Sequence, residues 1–202
     1  MRELSFGENK TSLLDKVIFF FRVRNIKKHL QNCDMVVDAG CGYFAPLLQW
    51  ILQNFDVKKA VGLDISFAED LVKDRLELVR SNFSSPLPLG DNLADYVIST
   101  AVVEHLSDPL FHIKEIERIL KPGGKLLLST PSKIAKPILE FLAFKLGIID
   151  RHEIADHKQY FNTTGLKDLL VQCGFKLADI EAHTFLFGLN NFIIAKKYVN
   201  SN

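Results

Sequence analysis

A glycine loop that follows a carboxylate is the first stretch of the chain that could do chemistry. It reads VVDAGCGYFA over residues 36–45, in which Gly40, Gly42 and Ala45 have the G-x-G-x-x-A spacing of a dinucleotide-binding loop. Such a loop joins a strand to a helix and directs backbone N–H groups at a ligand. Asp38 precedes the first glycine by two residues, where it would repel a pyrophosphate and attract an ammonium group. The loop therefore predicts a nucleoside ligand that carries a cation, and the alternative is a tight turn that binds nothing.

A second carboxylate, Asp64, ends the apolar run KAVGLD. Ligands of open parallel sheets bind at the carboxyl ends of the strands, so Asp64 is expected beside the glycine loop. There it could accept hydrogen bonds from both hydroxyls of a ribose. This supports a nucleoside without identifying which one, and the alternative is that Asp64 only caps the strand.

Histidines are the candidates for acid–base chemistry. His105 follows a predicted strand that ends at Thr100, and an imidazole can accept a proton near neutral pH. Its alternative role is to shape the loop or cap the next helix. His152 and His157 almost form a zinc-binding H-E-x-x-H motif, but they are five residues apart and do not share one helical face. His157 and Tyr160 are instead predicted to face a substrate, with loop packing as the alternative.

The elements that must position these side chains alternate between strands and helices. Apolar strands separated by helices predict an α/β fold with a parallel sheet covered on both faces. A KPGG turn precedes the fifth strand, and two further strands around Gly188–Asn190 end the chain. The predicted strands are 35–40, 59–64, 76–81, 94–100 and 125–130, and the predicted helices are 12–31, 47–55, 108–120, 134–149 and 163–174.

Residues 134–149 are apolar on nearly every side of the predicted helix. One interpretation is an extra core helix, and the other is a lid whose inner face lines an apolar acceptor pocket. Such a surface could contact a substrate, a partner subunit or a membrane. It is compatible with a homodimer and with peripheral membrane contact.

Composition excludes several classes of protein. The 202 residues are 48% hydrophobic and 24% charged with a net charge of +1, which is typical of a globular protein and gives no overall attraction to nucleic acid. The basic residues Arg22, Arg24, Lys27 and Lys28 are predicted to form a solvated helix face.

The polar start of the chain predicts no secretory signal, and the apolar runs are too short to span a membrane. The three cysteines lack metal-ligand spacing, which predicts reduced thiols and a cytoplasmic location.

The segments VVDAGCGYF, VGLDIS, LADYVISTAVVEHLSDP and ILKPGGKLLLSTP, within residues 34–131, resemble the class I S-adenosylmethionine-dependent methyltransferases. Within that class they are most similar to the small-molecule branch called methyltransferase type 11. The resemblance implies a Rossmann-like, parallel seven-stranded sheet with one antiparallel strand, helices on both faces and an apolar helical insertion after strand five. It also implies a single domain over 1–202, with an N-terminal helix at 12–31 and a lid-like insertion at 132–160.

The same resemblance implies S-adenosylmethionine as the cofactor and assigns its contacts. The glycine loop would hold the methionine part, Asp64 the ribose and Ile65 the adenine ring, while Asn82 would accept from the adenine amino group. Phe44 stands where the family often has a third glycine, so its side chain must point away from the cofactor. The implied cofactor-binding residues are Asp38, Gly40, Cys41, Gly42, Asp64, Ile65, Asn82, Phe83 and Thr100.

The expected activity is methyl transfer to oxygen or nitrogen of a small, partly apolar molecule, with His105 as a candidate general base. The alternative is a catalytically silent cofactor-binding regulatory or scaffold protein. Some methyltransferases carry E-x-x-E-H here and bind a divalent metal, but Ala101 replaces the first glutamate and leaves only Glu104 and His105. The prediction is therefore that no metal is used, and the alternative is a divalent metal at Glu104 and His105. Nucleic-acid acceptors are not expected, because an N-P-P-Y signature and an aromatic–basic stripe are both absent.

Overall fold

The computed structural model describes residues 13–149 and 151–199. Within them, seven strands form one sheet and helices pack against it. The strands are β1 (Cys33–Ala39), β2 (Val57–Asp64), β3 (Leu76–Arg80), β4 (Ala94–Thr100), β5 (Leu120–Pro131), β6 (Ile180–Phe185) and β7 (Asn190–Lys196). The helices are α1 (Leu13–His29), α2 (Pro46–Asn54), α3 (Pro109–Ile119), α4 (Ala135–Glu140), α5 (Arg151–Ala155) and α6 (Thr163–Gln172).

The sheet has the strand order β3-β2-β1-β4-β5-β7-β6. Every neighbouring pair from β3 to β5 is parallel, whereas β7 runs antiparallel to both β5 and β6. The predicted Rossmann-like sheet with one antiparallel strand is therefore confirmed. Strand order reverses between β1 and β4, which opens a crevice at their carboxyl ends.

Both faces of the sheet are covered, because successive strand residues point to opposite sides. Val36 packs into a core that includes Ile26 of α1 and Leu48 of α2. Val37, the next residue, packs into a second core that includes Ile113 of α3 and residues of α6. The predicted placement of helices on both faces is confirmed.

The segment after β5 differs from the single helix predicted over 134–149. Helix α4 ends at Glu140, a π-helical turn follows over Phe141–Lys145, and Gly147 then adopts a φ of +65°. Because this φ favours glycine, the chain leaves the helical path there. Ile134 is 67% exposed, so much of this apolar surface has no core to pack against. The prediction of one continuous helix was wrong.

Other element boundaries also differ from the predicted ones. The KPGG sequence lies inside β5, because Leu120 pairs with Ala94 and a register shift in the ladder absorbs the turn. The final hairpin turns earlier than predicted, through Leu186 and Phe187, both with positive φ. Helix α1 ends two residues before the predicted limit of 31, and residue 12 lies outside the described residues. No helix of the described chain has the length and hydropathy that crossing a bilayer requires.

Candidate functional site

A cavity of about 320 Å³ lies at the carboxyl ends of β1, β2 and β4. Most residues that the sequence predicted for the site line it: Asp38, Gly40, Cys41, Asp64, Ile65, Asn82, Phe83, Thr100 and His105. Gly42, His157 and Tyr160 are not part of its lining. Further lining residues were not predicted: Phe19, Arg22, Pro46, Leu47, Ser84, Ala101, Val102, Leu106, Ser107 and Lys158.

The glycine loop is tied to β2 through its own backbone. Gly40 and Cys41 both donate N–H hydrogen bonds to the Leu63 carbonyl oxygen, at 2.8 and 3.1 Å. Gly42 donates its N–H to Oδ2 of Asp64 at 2.8 Å. These three N–H groups therefore point at β2 rather than at a phosphate in the cavity. This arrangement disfavours the dinucleotide interpretation of the G-x-G-x-x-A spacing.

Gly40 brings the loops after β1 and β4 close together. Its φ is +96°, and a Cβ atom built on it would lie 2.2 Å from Cγ2 of Val102. A side chain is excluded there by both conformation and space. Phe44, in contrast, is 49% exposed and lies outside the cavity lining, which confirms that its side chain points away from the site.

Asp64 anchors the loop with both carboxylate oxygens. Oδ2 accepts from Gly42 and Oδ1 accepts from its neighbour Ile65, each at 2.8 Å. The capping role considered for Asp64 is therefore present. A carboxylate oxygen can accept more than one hydrogen bond, and Asp64 also lines the cavity, where a ligand hydroxyl could donate to it.

Asp38 is a buried carboxyl in the cavity wall, and its pKa is strongly shifted. It is 2% exposed, and its pKa is raised to about 8, first by burial and second by the negative charge of Asp64, while Arg22 opposes the rise. Its Oδ1 atom has no hydrogen-bond partner within the described ranges. A cation with N–H donors bound here would supply the missing partner. The cavity therefore fits a ligand that ends in an ammonium group.

Arg22 is the main residue that the sequence analysis misjudged. Arg24, Lys27 and Lys28 are exposed as predicted, but Arg22 lines the cavity and its Nε atom is buried. The prediction of a solvated face was wrong at this position. A signal was available, because Arg22 precedes the fully buried Ile26 by four residues and so shares its helical face.

Phe83 is held at one wall of the cavity by a neutral histidine. Its ring meets that of His112 edge-on at 5.0 Å between centroids. Burial lowers the pKa of His112 to about 4, and its Nε2 atom lies 3.2 Å from the Ser99 hydroxyl. The neighbouring Asn82 uses its side-chain oxygen to accept from the Ser84 N–H at 3.0 Å, which shapes the turn after β3.

Two chain segments place His105, His157 and Tyr160 in contact. His105 is 8% exposed, and its Nδ1 atom lies 3.1 Å from Oδ2 of Asp156. The His105 and His157 rings are 4.7 Å apart between centroids, and Nδ1 of His157 is 2.8 Å from the Tyr160 hydroxyl. Burial, followed by the charges of Glu140 and Glu104, raises the pKa of Tyr160 to about 12. His157 and Tyr160 therefore lie behind His105 instead of facing the cavity directly.

Glu104 joins this group from the loop after β4. It is completely buried, and Oε2 accepts from the Thr130 hydroxyl at 3.0 Å. One potential ligand atom from each of Glu104, His105 and His157 lies within 4.8 Å of the other two. The prediction of no metal considered only Glu104 and His105. The sequence did not show that His157 would lie beside them.

Comparison with known proteins agrees with the fold and with the motifs. A family model described as a methyltransferase domain matches residues 37–128. A candidate S-adenosylmethionine-dependent methyltransferase of Mycolicibacterium smegmatis is 33% identical over 149 residues, which are 71% of this chain and 52% of that protein. The candidate methyltransferase ECU09_1500 of Encephalitozoon cuniculi is 33% identical over 162 residues, 72% of this chain and 71% of that protein.

A solved S-adenosylmethionine-dependent methyltransferase from Archaeoglobus fulgidus has the same fold, with a TM-score of 0.69 at 18% identity, over 90% of this chain and 94% of that one. The chain spans only 52–60% of the length of the first curated relatives it matches. The Encephalitozoon protein, in contrast, is matched over most of its length, and the sheet has the seven strands, one of them antiparallel to its neighbours, that the resemblance implies. The chain therefore belongs to the class I S-adenosylmethionine-dependent methyltransferases.

Proposed function

We propose that this protein transfers a methyl group from S-adenosylmethionine to oxygen or nitrogen of a small, partly apolar molecule. The observation that carries the proposal is Asp38, a buried carboxyl whose Oδ1 atom has no hydrogen-bond partner in the part of the chain that the structure describes. The amino group of the cofactor's methionine part provides the cation that this site lacks. A dinucleotide would instead place a pyrophosphate near Asp38 and Asp64, which is unfavourable.

The cavity residues divide between the parts of the cofactor. Asp38 binds the ammonium group, and Asp64 accepts from the ribose hydroxyls while it holds the glycine loop in place. Ile65 and Phe83 contact the adenine ring, and Asn82 accepts from its amino group. Gly40, Cys41 and Thr100 complete the wall, and Gly42, outside the lining, supports it through its hydrogen bond to Asp64. Burial raises the pKa of the Cys41 thiol, so it packs as a neutral group.

When bound, S-adenosylmethionine would supply a methyl group on a sulfonium. The sulfur is the leaving group: it keeps the electron pair of the broken carbon–sulfur bond and becomes a neutral thioether. The protein's contribution is to align the acceptor with that methyl group, and positioning of this kind can supply roughly 7–11 kcal/mol. His105 takes the proton of a hydroxyl or protonated amine as the new bond forms. Asp156 engages Nδ1 of His105, which directs Nε2 to this task.

The acceptor end of the cavity is lined by both apolar and polar side chains. Phe19, Val102 and Leu106 contribute apolar surface. Ser107 and Lys158 contribute polar groups, joined by a 2.8 Å hydrogen bond from Lys158 Nζ to the Ser107 hydroxyl. These walls favour a partly apolar molecule with a polar end.

The segment 132–160 acts in this proposal as a lid within a single domain. Its start is pinned to the site by a 3.0 Å hydrogen bond from the Lys133 N–H to the Phe161 carbonyl, and Lys136 Nζ lies 5.9 Å from the centre of the Tyr160 ring. The exposed apolar residues of 134–149 would admit an apolar acceptor, meet a membrane surface peripherally or pair two copies of the chain. A cytoplasmic location is supported by the three cysteines, which are all free thiols.

Calorimetric titration with S-adenosylhomocysteine tests this proposal, with NAD and NADP as parallel titrants. Micromolar binding of S-adenosylhomocysteine and no binding of either dinucleotide is the expected result. Binding of a dinucleotide alone would contradict the role given to Asp38. Release of label from a radiolabelled methyl donor to a panel of hydroxyl and amine acceptors then distinguishes an enzyme from a silent binding protein.

A further inference from the structure

We propose that Glu104, His105 and His157 bind one divalent transition-metal cation at the acceptor end of the cavity. The three side chains come from two segments that are far apart in the sequence. One potential ligand atom of each lies within 4.8 Å of the other two. Metal bonds of about 2.0–2.2 Å hold such atoms roughly 3–4 Å apart, so a small movement of the segment that carries His157 closes the site.

Both histidines are already oriented for metal binding. Nδ1 of His105 is hydrogen-bonded to the Asp156 carboxylate at 3.1 Å, and Nδ1 of His157 to the Tyr160 hydroxyl at 2.8 Å. Histidine ligands of metals are commonly held in this way, with a hydrogen bond at one ring nitrogen fixing the tautomer and the direction of the other. Nε2 of each ring is therefore the expected ligand atom.

Glu104 is oriented by the same principle. The Thr130 hydroxyl donates to Oε2 of Glu104 at 3.0 Å, and the carboxylate is completely buried. A divalent cation bound to a buried carboxylate balances its negative charge, which is costly to bury. The Lys158 N–H donates to the Glu104 carbonyl at 2.8 Å, which keeps His157 next to Glu104 and His105.

The donor set selects the class of cation. Two imidazoles and one carboxylate suit Zn²⁺, Mn²⁺, Fe²⁺ or Co²⁺, whereas Mg²⁺ and Ca²⁺ prefer oxygen ligands throughout. Three protein ligands leave further coordination positions for water or substrate. His105 lines the cavity, so a cation on its ring adjoins the space for the acceptor.

If the chain has the proposed function, the metal site implies that the methyl acceptor carries a hydroxyl that can bind the cation. This consequence rests on the proposed function. Coordination lowers the pKa of a bound hydroxyl. His105 is then a ligand, and it serves as the base only in the metal-free protein. Glu104 and His105 are what this chain keeps of the metal-binding E-x-x-E-H pattern, in which Ala101 replaces one glutamate, and His157 supplies the third ligand from a distant segment.

Titration of chelator-treated protein with Co²⁺ tests the inference, followed by visible absorption and calorimetry. The wild-type protein is expected to bind one Co²⁺, and His157→Ala to weaken that binding at least tenfold. His152→Ala is the matched control, since His152 is an exposed histidine on α5 outside the cluster, and it should bind as the wild type does. His157→Gln provides a second variant that preserves more of the side-chain volume.

Binding of S-adenosylhomocysteine is measured for every variant as the check on folding. A wild-type protein that binds S-adenosylhomocysteine but no Co²⁺ overturns the metal site and leaves the proposed function intact. Equal Co²⁺ binding by His157→Ala and the wild type also overturns it. A protein that binds Co²⁺ but no S-adenosylhomocysteine refutes the proposed function instead.

Discussion

Replacing Asp38 with asparagine should stabilise the ligand-free protein while it weakens cofactor binding. The carboxyl is buried at 2% exposure with a pKa of about 8 in the folded protein, against 3.8 for an ordinary aspartate. Between these values the unfolded chain ionises at Asp38 and the folded chain does not. Ionisation therefore favours unfolding of the wild type as pH rises from about 4 to 8, and asparagine removes this effect.

The magnitude follows from about 1.4 kcal/mol for each pKa unit. At pH 7 the difference of roughly three units between pH and the unfolded-state pKa gives a stability gain of up to ~4 kcal/mol, and at pH 5 the gain falls to ~1.6 kcal/mol. The advantage of Asp38→Asn should thus grow by about 1.4 kcal/mol for each pH unit in this range. Loss of a hydrogen bond between charged groups should weaken S-adenosylhomocysteine binding by about 1.5–3 kcal/mol, or roughly 10- to 150-fold.

Urea unfolding of both proteins at pH 5, 6 and 7 measures the first effect, and calorimetry at pH 7 measures the second. Asp34→Asn on the same strand is the control, because Asp34 is exposed and its Lys58 neighbour lowers its pKa. A stability difference for Asp38→Asn that stays constant across this pH range would refute the argument. Unchanged ligand affinity would separately show that Asp38 does not meet the ammonium group.

Three further substitutions and one deletion test other parts of the site. Asp64→Ala should weaken S-adenosylhomocysteine binding by about 1.5–3 kcal/mol in calorimetry, because it removes a ligand contact and releases the glycine loop; an unchanged affinity would leave Asp64 as a cap alone. Gly40→Ala should lower the melting temperature and abolish binding, since its Cβ atom would overlap Val102, and the paired substitution of Val102 by alanine should recover part of the stability. His105→Asn should lower kcat at least 100-fold in a methyl-transfer assay with little change in S-adenosylhomocysteine affinity, and equal losses of both would indicate a structural role. Deleting residues 136–147 should reduce acceptor turnover while cofactor binding persists, and unchanged turnover would eliminate the lid.

The parts of the molecule that the sequence predicts well are those with strong local signals. β1 and β2 are short apolar runs that end in Asp38 and Asp64, and the glycine loop follows the first of them. Since parallel strands bring their carboxyl ends to one edge, the meeting of these groups follows from the element order. Nine of the nineteen residues that line the cavity were predicted from the sequence.

The parts that could not be predicted depend on contacts between distant segments. Arg22 lies among other basic residues, and only the packing of α1 distinguishes it from its exposed neighbours. His157 reaches His105 because the chain after α5 is bonded to the Glu104 backbone, which no sequence spacing reveals. The apolar run at 134–149 has helical periodicity, but Gly147 and the lack of a covering core end the helix early.

The place of β7 between β5 and β6 has a consequence for synthesis of the chain. The edge of β5 carries Leu126, Leu127 and Leu128, and its partner on that side is β7, which is translated about 65 residues later. At about 5–20 residues per second, the ribosome leaves this edge open for roughly 3–13 s. An open apolar strand edge is a template for pairing with other chains. Nascent chains of this protein should therefore be most prone to self-association between the emergence of β5 and that of β7, and release at residue 189 should leave that edge open permanently.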